Sequence, residues 1–408
     1  MNILLVTTIY EEGGGTKNLI DDMGKKFKDL GHKVDIISVY PRYEKGILFQ
    51  GPLENITYLN NTVNINILNT IDYFVKLVEQ KKPNRLYFFL GHGILLLVVA
   101  ALRNLYKSRS ILFYLDPWFT IPELKEELEK FSSNYKMLRD KVARENVTIF
   151  FWEKVRPFEL LAGRDSSNAG FYKSVHNILL CTHDMIKYFT EKLKVPRKKI
   201  KFLPLYTRSL TINEEKSILQ TVNNCEKKNG FQKIIFIGRV SSSWKGFWIL
   251  LEVLKELKDI ELNIYTVSPS EVELAQKLLE TYKINYKERV KFFLGKKDKE
   301  VFEAMQSSDI LILPSLAEGF SFVMVECMGV GGIVVAGPKY GGPLEVIDNG
   351  KNGFLFKVGS SRSLISTIKH IRKLNKIELM KIKANAKETA IKYSFDLFWQ
   401  KLSKGEHF

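Results

Sequence analysis

Short apolar runs that end in Gly, Pro or Ser recur along this chain, and each precedes a stretch whose apolar residues have helical spacing. Runs of this kind, without polar alternation, are typical of strands buried on both faces of a parallel sheet. Strand-like and helix-like stretches alternate in both halves, so we expect an α/β protein with parallel sheets. A chain of 408 residues is long for one hydrophobic core, which predicts two domains joined near residues 206–213.

The clearest of these units lies in the carboxyl-terminal half. The run from Asp309 to Ser315 predicts a buried strand, and Gly319 allows a tight turn into a helix that begins near Ser321. Glu318 then lies at the carboxyl end of the strand, and Glu326 lies about two helical turns beyond it. Both carboxylates can therefore border one crevice. A solvated Glu318 and a surface Glu326 are the alternative interpretation.

Two cations follow an earlier strand of the same half. The run from Lys233 to Arg239 is apolar and ends in Gly-Arg, and Lys245 precedes the next helical pattern. Cations on a short strand-to-helix loop, beside a helix amino terminus, form a site suited to a diphosphate. Each charge-assisted hydrogen bond there would contribute about 1.5–3 kcal/mol. Because the chain has 62 Lys and Arg residues, two solvated side chains remain the alternative.

Glycines mark two further turns downstream. Gly341 and Gly342 precede Pro343 and would let backbone amides approach a phosphate or a sugar, because glycine has no Cβ. The segment from Asp348 to Leu355 predicts a hairpin or a tight turn.

In their order and spacing, these motifs resemble the retaining, nucleotide-sugar-dependent glycosyltransferases of family 4, which have the two-domain GT-B fold. The amino-terminal half agrees, with a first strand from Met1 to Val6, a glycine loop at residues 13–15, a helical stretch from Leu19 to Leu30 and a second strand up to Ile37. The resemblance implies two Rossmann-like domains whose parallel sheets face a central cleft. Residues 1–208 would bind the acceptor, residues 209–385 would bind the nucleotide sugar, and residues 386–408 would form a helix that crosses back to the first domain.

The resemblance also implies roles for individual residues. Arg239 and Lys245 would neutralise the donor diphosphate as charge grows on the leaving group, and Glu318 would contact the transferred sugar, so these three form the expected catalytic set. Glu326 would accept hydrogen bonds from the ribose hydroxyls, and Leu294 would lie near the base, unless it is a plain core leucine. The remaining expected donor contacts are Gly14, Gly15, Gly238, Gly319, Phe320 and Ser321. No metal and no cofactor are expected beyond the UDP- or GDP-linked sugar itself.

The sequence departs from the family pattern at two places. Val267 to Ser270 replaces a glycine-rich turn, which predicts a remodelled wall near the base. Relatives often carry a sugar-facing His after the strand that here runs from Ser110 to Leu115, but this chain has Asp116 there. His92, between two glycines, is the other candidate for a sugar or acceptor contact, with a simple turn residue as the alternative.

A net charge of +17 calls for an anionic partner or surface. An anionic lipid surface, where a lipid-linked acceptor would lie, is one interpretation, and a mixed-charge soluble surface is another. No recognisable nucleic-acid motif accompanies the charge, so no nucleic-acid partner is expected. The segment from Glu123 to Arg144 could form an amphipathic helix. The apolar stretch from Leu86 to Leu102 is interrupted by glycines and predicts a strand, a turn and a helix rather than a membrane span.

Cysteine usage and the start of the chain bear on location. The three cysteines have neither disulfide nor metal spacing, and Met1 leads directly into a strand, so we expect a cytoplasmic protein. The lipid-surface interpretation of the net charge would place it at the inner face of the membrane.

The sequence therefore predicts a retaining glycosyltransferase that moves a sugar to a hydroxyl of a glycan, a glycolipid or another acceptor. A non-catalytic GT-B subunit that binds glycan or assists a partner enzyme is the competing class. An epimerase or a phosphorylase on the same fold is a third.

Overall fold

The computed structural model describes residues 1–7, 10, 15–39, 43–44, 47–48, 56–59, 67–90, 110–114, 172, 175–209 and 233–406. These residues form two compact units, one ending at Phe202 and one beginning at Leu203. The domain boundaries expected after residues 208 and 385 stay predictions.

The first unit contains a seven-stranded, fully parallel sheet with accompanying helices. Its strands are β1 Asn2–Thr7, β2 Lys33–Ser38, β5 Ile56–Tyr58, β6 Arg85–Leu90, β7 Ser110–Tyr114, β8 Asn177–Leu180 and β9 Ile200–Phe202, and the short β3 Tyr43–Glu44 and β4 Ile47–Leu48 pair antiparallel apart from it. The strand order is β5-β2-β1-β6-β7-β8-β9. The helices are α1 Gly15–Asp29, α2 Ile67–Lys81 and α3 His183–Lys187, the last continued by a π-helical turn, Tyr188–Lys192, and followed by a 3-10 turn, Arg197–Lys199.

Helix α1 shows why these segments fold as the sequence pattern predicts. Leu19, Met23 and Phe27 recur every four residues, so they lie on one face, and all three are fully buried. Gly15 is the first residue of this helix, whereas the sequence predicted a loop there.

The second unit contains a six-stranded parallel sheet. Its strands are β10 Lys233–Ile237, β11 Glu261–Thr266, β12 Val290–Leu294, β13 Ile310–Leu313, β15 Val334–Ala336 and β17 Phe354–Leu355, and a separate parallel pair is formed by β14 Ala317–Glu318 and β16 Tyr340–Gly341. The strand order is β12-β11-β10-β13-β15-β17. The helices are α4 Phe247–Glu256, α5 Pro269–Thr281, α6 Asp298–Ser307, α7 Phe322–Gly329, α8 Gly342–Val346, α9 Ser361–Lys373, α10 Lys376–Ile391 and α11 Phe395–Glu406, and a 3-10 turn, Ser243–Lys245, precedes α4.

The α/β architecture with parallel sheets is thus confirmed in both units. The segment after Asp348 forms a tight turn, in which the amide of Lys351 donates to the carbonyl of Asp348. The strand that follows, β17, runs parallel to β15, so the hairpin alternative for this segment does not hold. That the last helix, α11, crosses back to the first unit stays a prediction.

Several expected features fall wholly or partly outside the described residues. Strand β6 confirms the strand predicted at the start of the apolar stretch Leu86 to Leu102. Residues 91–102, where the turn and the helix were predicted, lie outside the described residues. The expected amphipathic helix at 123–144 also lies outside. Across the described ranges, no helix combines the length and the apolar character needed to cross a lipid bilayer.

Parallel strands place their carboxyl ends along one edge of a sheet, and that edge organises the second unit. Arg239 follows β10, Val267 follows β11, Gly295 follows β12 and Pro314 follows β13. Four loops of different sequence origin therefore meet at one edge, where the predicted donor-binding residues are concentrated.

The small pair of β14 and β16 depends on a glycine. Gly341 pairs with Glu318, has a φ of +106°, and a Cβ built on it would lie 1.6 Å from the carbonyl oxygen of Glu318. No side chain fits there, so the two segments approach this closely because residue 341 is glycine.

We predict that Gly341→Ala destabilises the protein much more than Gly331→Ala. Gly331 also has a positive φ, +75°, but nothing lies within 4 Å of its built Cβ. The control should therefore cost about 1–2 kcal/mol of backbone strain, while Gly341→Ala should cost about 1–3 kcal/mol more, because β14 and β16 must separate. Urea unfolding of both variants measures the difference, and equal losses would contradict the argument.

Candidate functional site

An ion pair with a buried carboxylate joins two loops of the carboxyl edge. The ammonium of Lys245, which ends the 3-10 turn, lies 2.7 Å from Oε1 of Glu318, which ends β14. The carboxylate side chain is 7% exposed and the lysine side chain is 28% exposed. A buried carboxylate is unfavourable without a counter-charge, and Lys245 supplies it. The structure thus brings together two of the three residues expected to be catalytic.

Ser315 completes the environment of this carboxylate. Its hydroxyl donates to the same Oε1 atom of Glu318 at 2.5 Å, and the residue is almost fully buried. Both contacts end on Oε1, and within the described part of the chain Oε2 has no hydrogen-bond donor. The second oxygen therefore remains available to a ligand hydroxyl. The sequence analysis identified Ser315 only as the end of a strand. A serine three residues before Glu318 could have indicated this hydrogen bond.

Close backbone approaches explain why Lys245 meets a residue so distant in the sequence. Gly246 has a φ of +67°, and a Cβ built on it would lie 2.0 Å from the carbonyl oxygen of Pro314. Next to this crossing, the amide of Leu316 donates to the carbonyl of Trp244 at 2.7 Å. The loop after β10 is thereby fixed directly against the loop after β13.

The turn into α7 has the features of an anion site. Ser321 is the residue before the helix and has a φ of +74° and a ψ of 94°, a rare conformation for a residue with a Cβ. Its side chain does not cap the helix, so the first N–H groups of α7 are left without a capping side chain. The carbonyl of Gly319 accepts from the amide of Gly342 at 2.7 Å, and the built Cβ of Gly342 would lie 2.3 Å from the carbonyl oxygen of Phe320. The glycine pair therefore holds this turn in place.

Arg239 is placed differently from Lys245. It follows β10 beside Gly238, whose amide donates to the carbonyl of Tyr265 at 3.0 Å, and its side chain is exposed. Among the described residues, the guanidinium forms no ion pair and no hydrogen bond. The structure does not bring it into contact with Lys245 or Glu318, so its role in binding a diphosphate stays a prediction.

Glu326 lies within α7 and is 7% exposed. The helix begins where the sequence predicted, and the surface-glutamate alternative does not hold for this residue. Its backbone carbonyl accepts a hydrogen bond from the hydroxyl of Ser209 at 2.9 Å. Burial raises the pKa of the neighbouring Cys327 thiol to about 12, so this cysteine is a protonated core residue. The ribose contact expected of Glu326 stays a prediction.

The remaining expected residues divide by location. Leu294 ends β12 and is 43% exposed, so the alternative of a core leucine is wrong. Val267, after the adjacent strand, is 48% exposed, and the two strands pair in register. Gly15 lies in the first unit, whereas Gly14, His92 and Asp116 lie outside the described residues.

Within the ranges that the structure describes, no group of three His, Cys, Asp or Glu side chains is arranged to hold a metal ion. That the reaction needs no metal stays a prediction.

We predict strong energetic coupling between Lys245 and Glu318. In a double-mutant cycle with Lys245→Met and Glu318→Gln, each single variant should lose about 1–3 kcal/mol, because it leaves a desolvated group without its partner. The double variant should lose less than the sum by about 1–2 kcal/mol.

The exposed pair Lys291 and Glu261, 2.9 Å apart with side chains 56% and 27% exposed, is the matched control. Its coupling should stay below about 1 kcal/mol. Both cycles are measured by urea unfolding, and additive losses at Lys245 and Glu318 would contradict the buried-pair interpretation.

Residues 220–389 match the protein family described as Glycosyl transferases group 1, and this segment contains the contact between Lys245 and Glu318. Two curated proteins are similar over parts of their length. A sucrose synthase of Melioribacter roseus is 38% identical over 90 residues, 21% of this chain and 11% of that protein. An uncharacterized glycosyltransferase of Methanocaldococcus jannaschii is 30% identical over 163 residues, 40% of this chain and 43% of that protein. The matched segments thus span less than half the length of these curated relatives.

Several solved structures are similar to nearly the whole chain. Sucrose-phosphate synthase of Thermosynechococcus elongatus has a TM-score of 0.72 at 13% identity and covers 99% of this chain and 98% of its own. The Anabaena protein HepE, in complex with UDP and glucose, has a TM-score of 0.67 at 16% identity, with 99% and 98% covered. WaaG, a glycosyltransferase involved in lipopolysaccharide biosynthesis, has a TM-score of 0.64 at 15% identity, with 99% of both chains covered. At such identities the similarity establishes the fold: the protein has the predicted GT-B fold, with two Rossmann-like parallel sheets, and residues 220–389 carry the match to glycosyl transferases group 1.

Proposed function

We propose that this protein is a retaining glycosyltransferase that moves a sugar from a nucleotide diphosphate sugar to a hydroxyl of a glycan, a glycolipid or another acceptor. The observation that carries the proposal is the contact between Lys245 and the buried carboxylate of Glu318, at the carboxyl edge of the sheet in the segment that matches glycosyl transferases group 1.

The charge distribution of this site suits a donor that joins a neutral, hydroxyl-rich sugar to an anionic diphosphate. Glu318 keeps Oε2 open to a sugar hydroxyl, while Ser315 and Lys245 fix its orientation through Oε1. The ammonium of Lys245 has three donor hydrogens, so it can contact a phosphate oxygen while it remains bound to Glu318. The uncapped amino terminus of α7 and the exposed guanidinium of Arg239 add positive potential for the diphosphate.

The reaction breaks the bond between the anomeric carbon and the donor phosphate oxygen, and forms a bond from that carbon to the acceptor oxygen. In the retaining, front-face course that the resemblance implies, the leaving phosphate oxygen takes the proton of the acceptor hydroxyl. Negative charge grows on the diphosphate as the anomeric bond breaks, before the proton is taken up, and Arg239 with Lys245 would stabilise it. Because these cations neutralise the leaving group, the proposal includes no metal requirement.

Donor and acceptor follow from chemistry and from the relatives. Glu326 would accept hydrogen bonds from the ribose, and exposed Leu294 would contact the base. HepE was solved with UDP-glucose, so UDP-linked hexoses are the first donors to test. WaaG acts in lipopolysaccharide biosynthesis, and a net charge of +17 suits an acceptor at an anionic membrane surface. We therefore propose a peripheral protein at the inner face of the membrane.

We predict turnover in a donor screen. Release of nucleoside diphosphate is measured from a panel of UDP- and GDP-linked sugars, with and without membrane lipid extract, and again with a chelator. At least one donor should be turned over, faster with extract and equally well with chelator. Glu318→Gln should lower the rate by about a hundredfold or more, because it removes the carboxylate beside the reacting sugar.

Nucleotide binding without turnover of any donor would contradict the enzyme proposal and favour a non-catalytic subunit. Loss of turnover with the chelator would contradict the metal-independent course. A product whose anomeric configuration is inverted relative to the donor would contradict the retaining course.

We predict that Arg239→Ala weakens UDP binding with little effect on stability. The side chain is exposed and has no partner among the described residues, so its removal should leave the unfolding midpoint unchanged. Loss of one charge-assisted contact of about 1.5–3 kcal/mol should raise the Kd for UDP by about 10- to 150-fold.

Lys258→Ala is the matched control, because Lys258 is also exposed but precedes β11 and so belongs to the opposite edge of the sheet. It removes the same net charge and should change the Kd by less than about twofold. Calorimetric titration with UDP measures all three proteins, and equal effects of the two substitutions would contradict a local diphosphate contact.

A further inference from the structure

A buried carboxylate, unassigned in the proposed reaction, holds the loop that carries both cations. Glu271 lies in the first turn of α5 and is 7% exposed. Its Oε2 accepts from the backbone amide of Ser241 at 2.8 Å, and its Oε1 accepts from the hydroxyl of Ser241 at 2.5 Å. Ser241 lies two residues after Arg239 and four residues before Lys245. We call residues 238–245 the cation loop.

Hydrogen bonds, and no ion pair among the described residues, stabilise the carboxylate of Glu271. A buried carboxylate normally requires a cation or several donors, and among the described residues no cation contacts Glu271. Both of its oxygens are instead bound by one residue of the cation loop. A charged acceptor makes these hydrogen bonds stronger than neutral ones, so the two contacts favour one conformation of Ser241.

Sheet topology places Glu271 there. Strands β10 and β11 are neighbours and pair in register up to Ile237 and Tyr265, so the segments after them start side by side. Helix α5 begins at Pro269, three residues after β11 ends, and its first turn therefore returns directly beside the cation loop. Proline at this position needs no amide partner and has a fixed φ, which favours a sharp helix start.

The cation loop is anchored at three points. Its beginning is held where Gly238 donates to Tyr265, and its end is held where Leu316 donates to Trp244. Glu271 holds the middle. Arg239 lies between the anchors at Gly238 and Ser241, and its guanidinium makes no hydrogen bond or ion pair among the described residues. The backbone direction at Ser241 therefore determines where the guanidinium can reach.

We propose that Glu271 is a positioning residue that orders the cation loop for diphosphate binding, acting through Ser241 on Arg239. This inference rests on the proposed function, because it takes the cation loop to be the diphosphate site. Without the anchor, the loop would have to be ordered at the moment of binding, and the nucleotide would bear that entropic cost.

The test compares UDP affinity and loop exchange in matched variants. Glu271→Ala removes both acceptors, and Ser241→Ala removes the hydroxyl contact but keeps the amide contact. We expect the Kd for UDP to rise about tenfold in Glu271→Ala and about threefold in Ser241→Ala. The KM for the donor should rise more than kcat falls, because the cost of ordering is borne in binding.

The energetic coupling between Glu271 and Arg239 in UDP binding distinguishes a positioning role of Glu271 from a purely stabilising one. Glu271 and Arg239 share no direct contact, yet in the Glu271→Ala background the loss caused by Arg239→Ala should shrink to about twofold. Fully additive losses would overturn the inference, and so would an unchanged Kd in Glu271→Ala with only a lower unfolding temperature. If Glu271→Ala does not fold, the same cycle is run between Ser241→Ala and Arg239→Ala, with the same two outcomes.

Amide hydrogen exchange of residues 238–246 without nucleotide gives an independent reading. Exchange there should accelerate in Glu271→Ala, while β13, with its fully buried residues, should be unchanged. Unchanged exchange in the cation loop would overturn the inference alone and leave the proposed function standing. A wild-type protein that bound neither UDP nor GDP would overturn the proposed function, and the inference with it, whatever the exchange rates.

Discussion

The burial of one carboxylate, that of Glu318, sets the requirements for the rest of the site. A carboxylate that is 7% exposed needs compensation, and the structure supplies a cation from one loop and a hydroxyl from another. Lys245 and Ser315 therefore have to converge on a single oxygen atom. The loops that carry them have to be fixed to within hydrogen-bond distance, although the two residues lie 70 positions apart in the sequence.

Glycines make that convergence possible, each for a definable steric reason. Gly246 passes over the carbonyl of Pro314, and Gly341 passes over the carbonyl of Glu318, at distances that no Cβ permits. The first crossing brings Lys245 to the carboxylate, and the second holds the strand on which the carboxylate sits. Positive φ at both glycines means that an alanine would be strained even if space were made.

Local elements were predictable because their signals are local. The apolar run before Ser315 and the helical spacing after Gly246 defined β13 and α4, and Gly319 placed the start of α7 within a residue. The sequence did not predict that β17 runs parallel to its neighbour, because the same turn residues occur in hairpins and in tight turns. The contact of Ser315 with Glu318 was missed, although its short spacing carried a signal. No signal in the sequence predicted the contact of Glu271 with Ser241, because this contact depends on which strands become neighbours in the sheet.

Pairing within the site decides how each cation can attract a nucleotide. Lys245 and Glu318 together carry no net charge, so at a distance of several ångströms their fields largely cancel. The cation of this loop that no described carboxylate contacts is then Arg239, because Glu271 contacts Ser241 and not the guanidinium. Lys245 contributes at short range, where its remaining donor hydrogens can reach an oxygen. The two cations of this loop would therefore act differently: Arg239 would attract the nucleotide, and Lys245 would bind it at short range. For that reason the anchor at Ser241, which in our proposal orients the guanidinium of Arg239, matters for nucleotide binding although it makes no contact with Glu318.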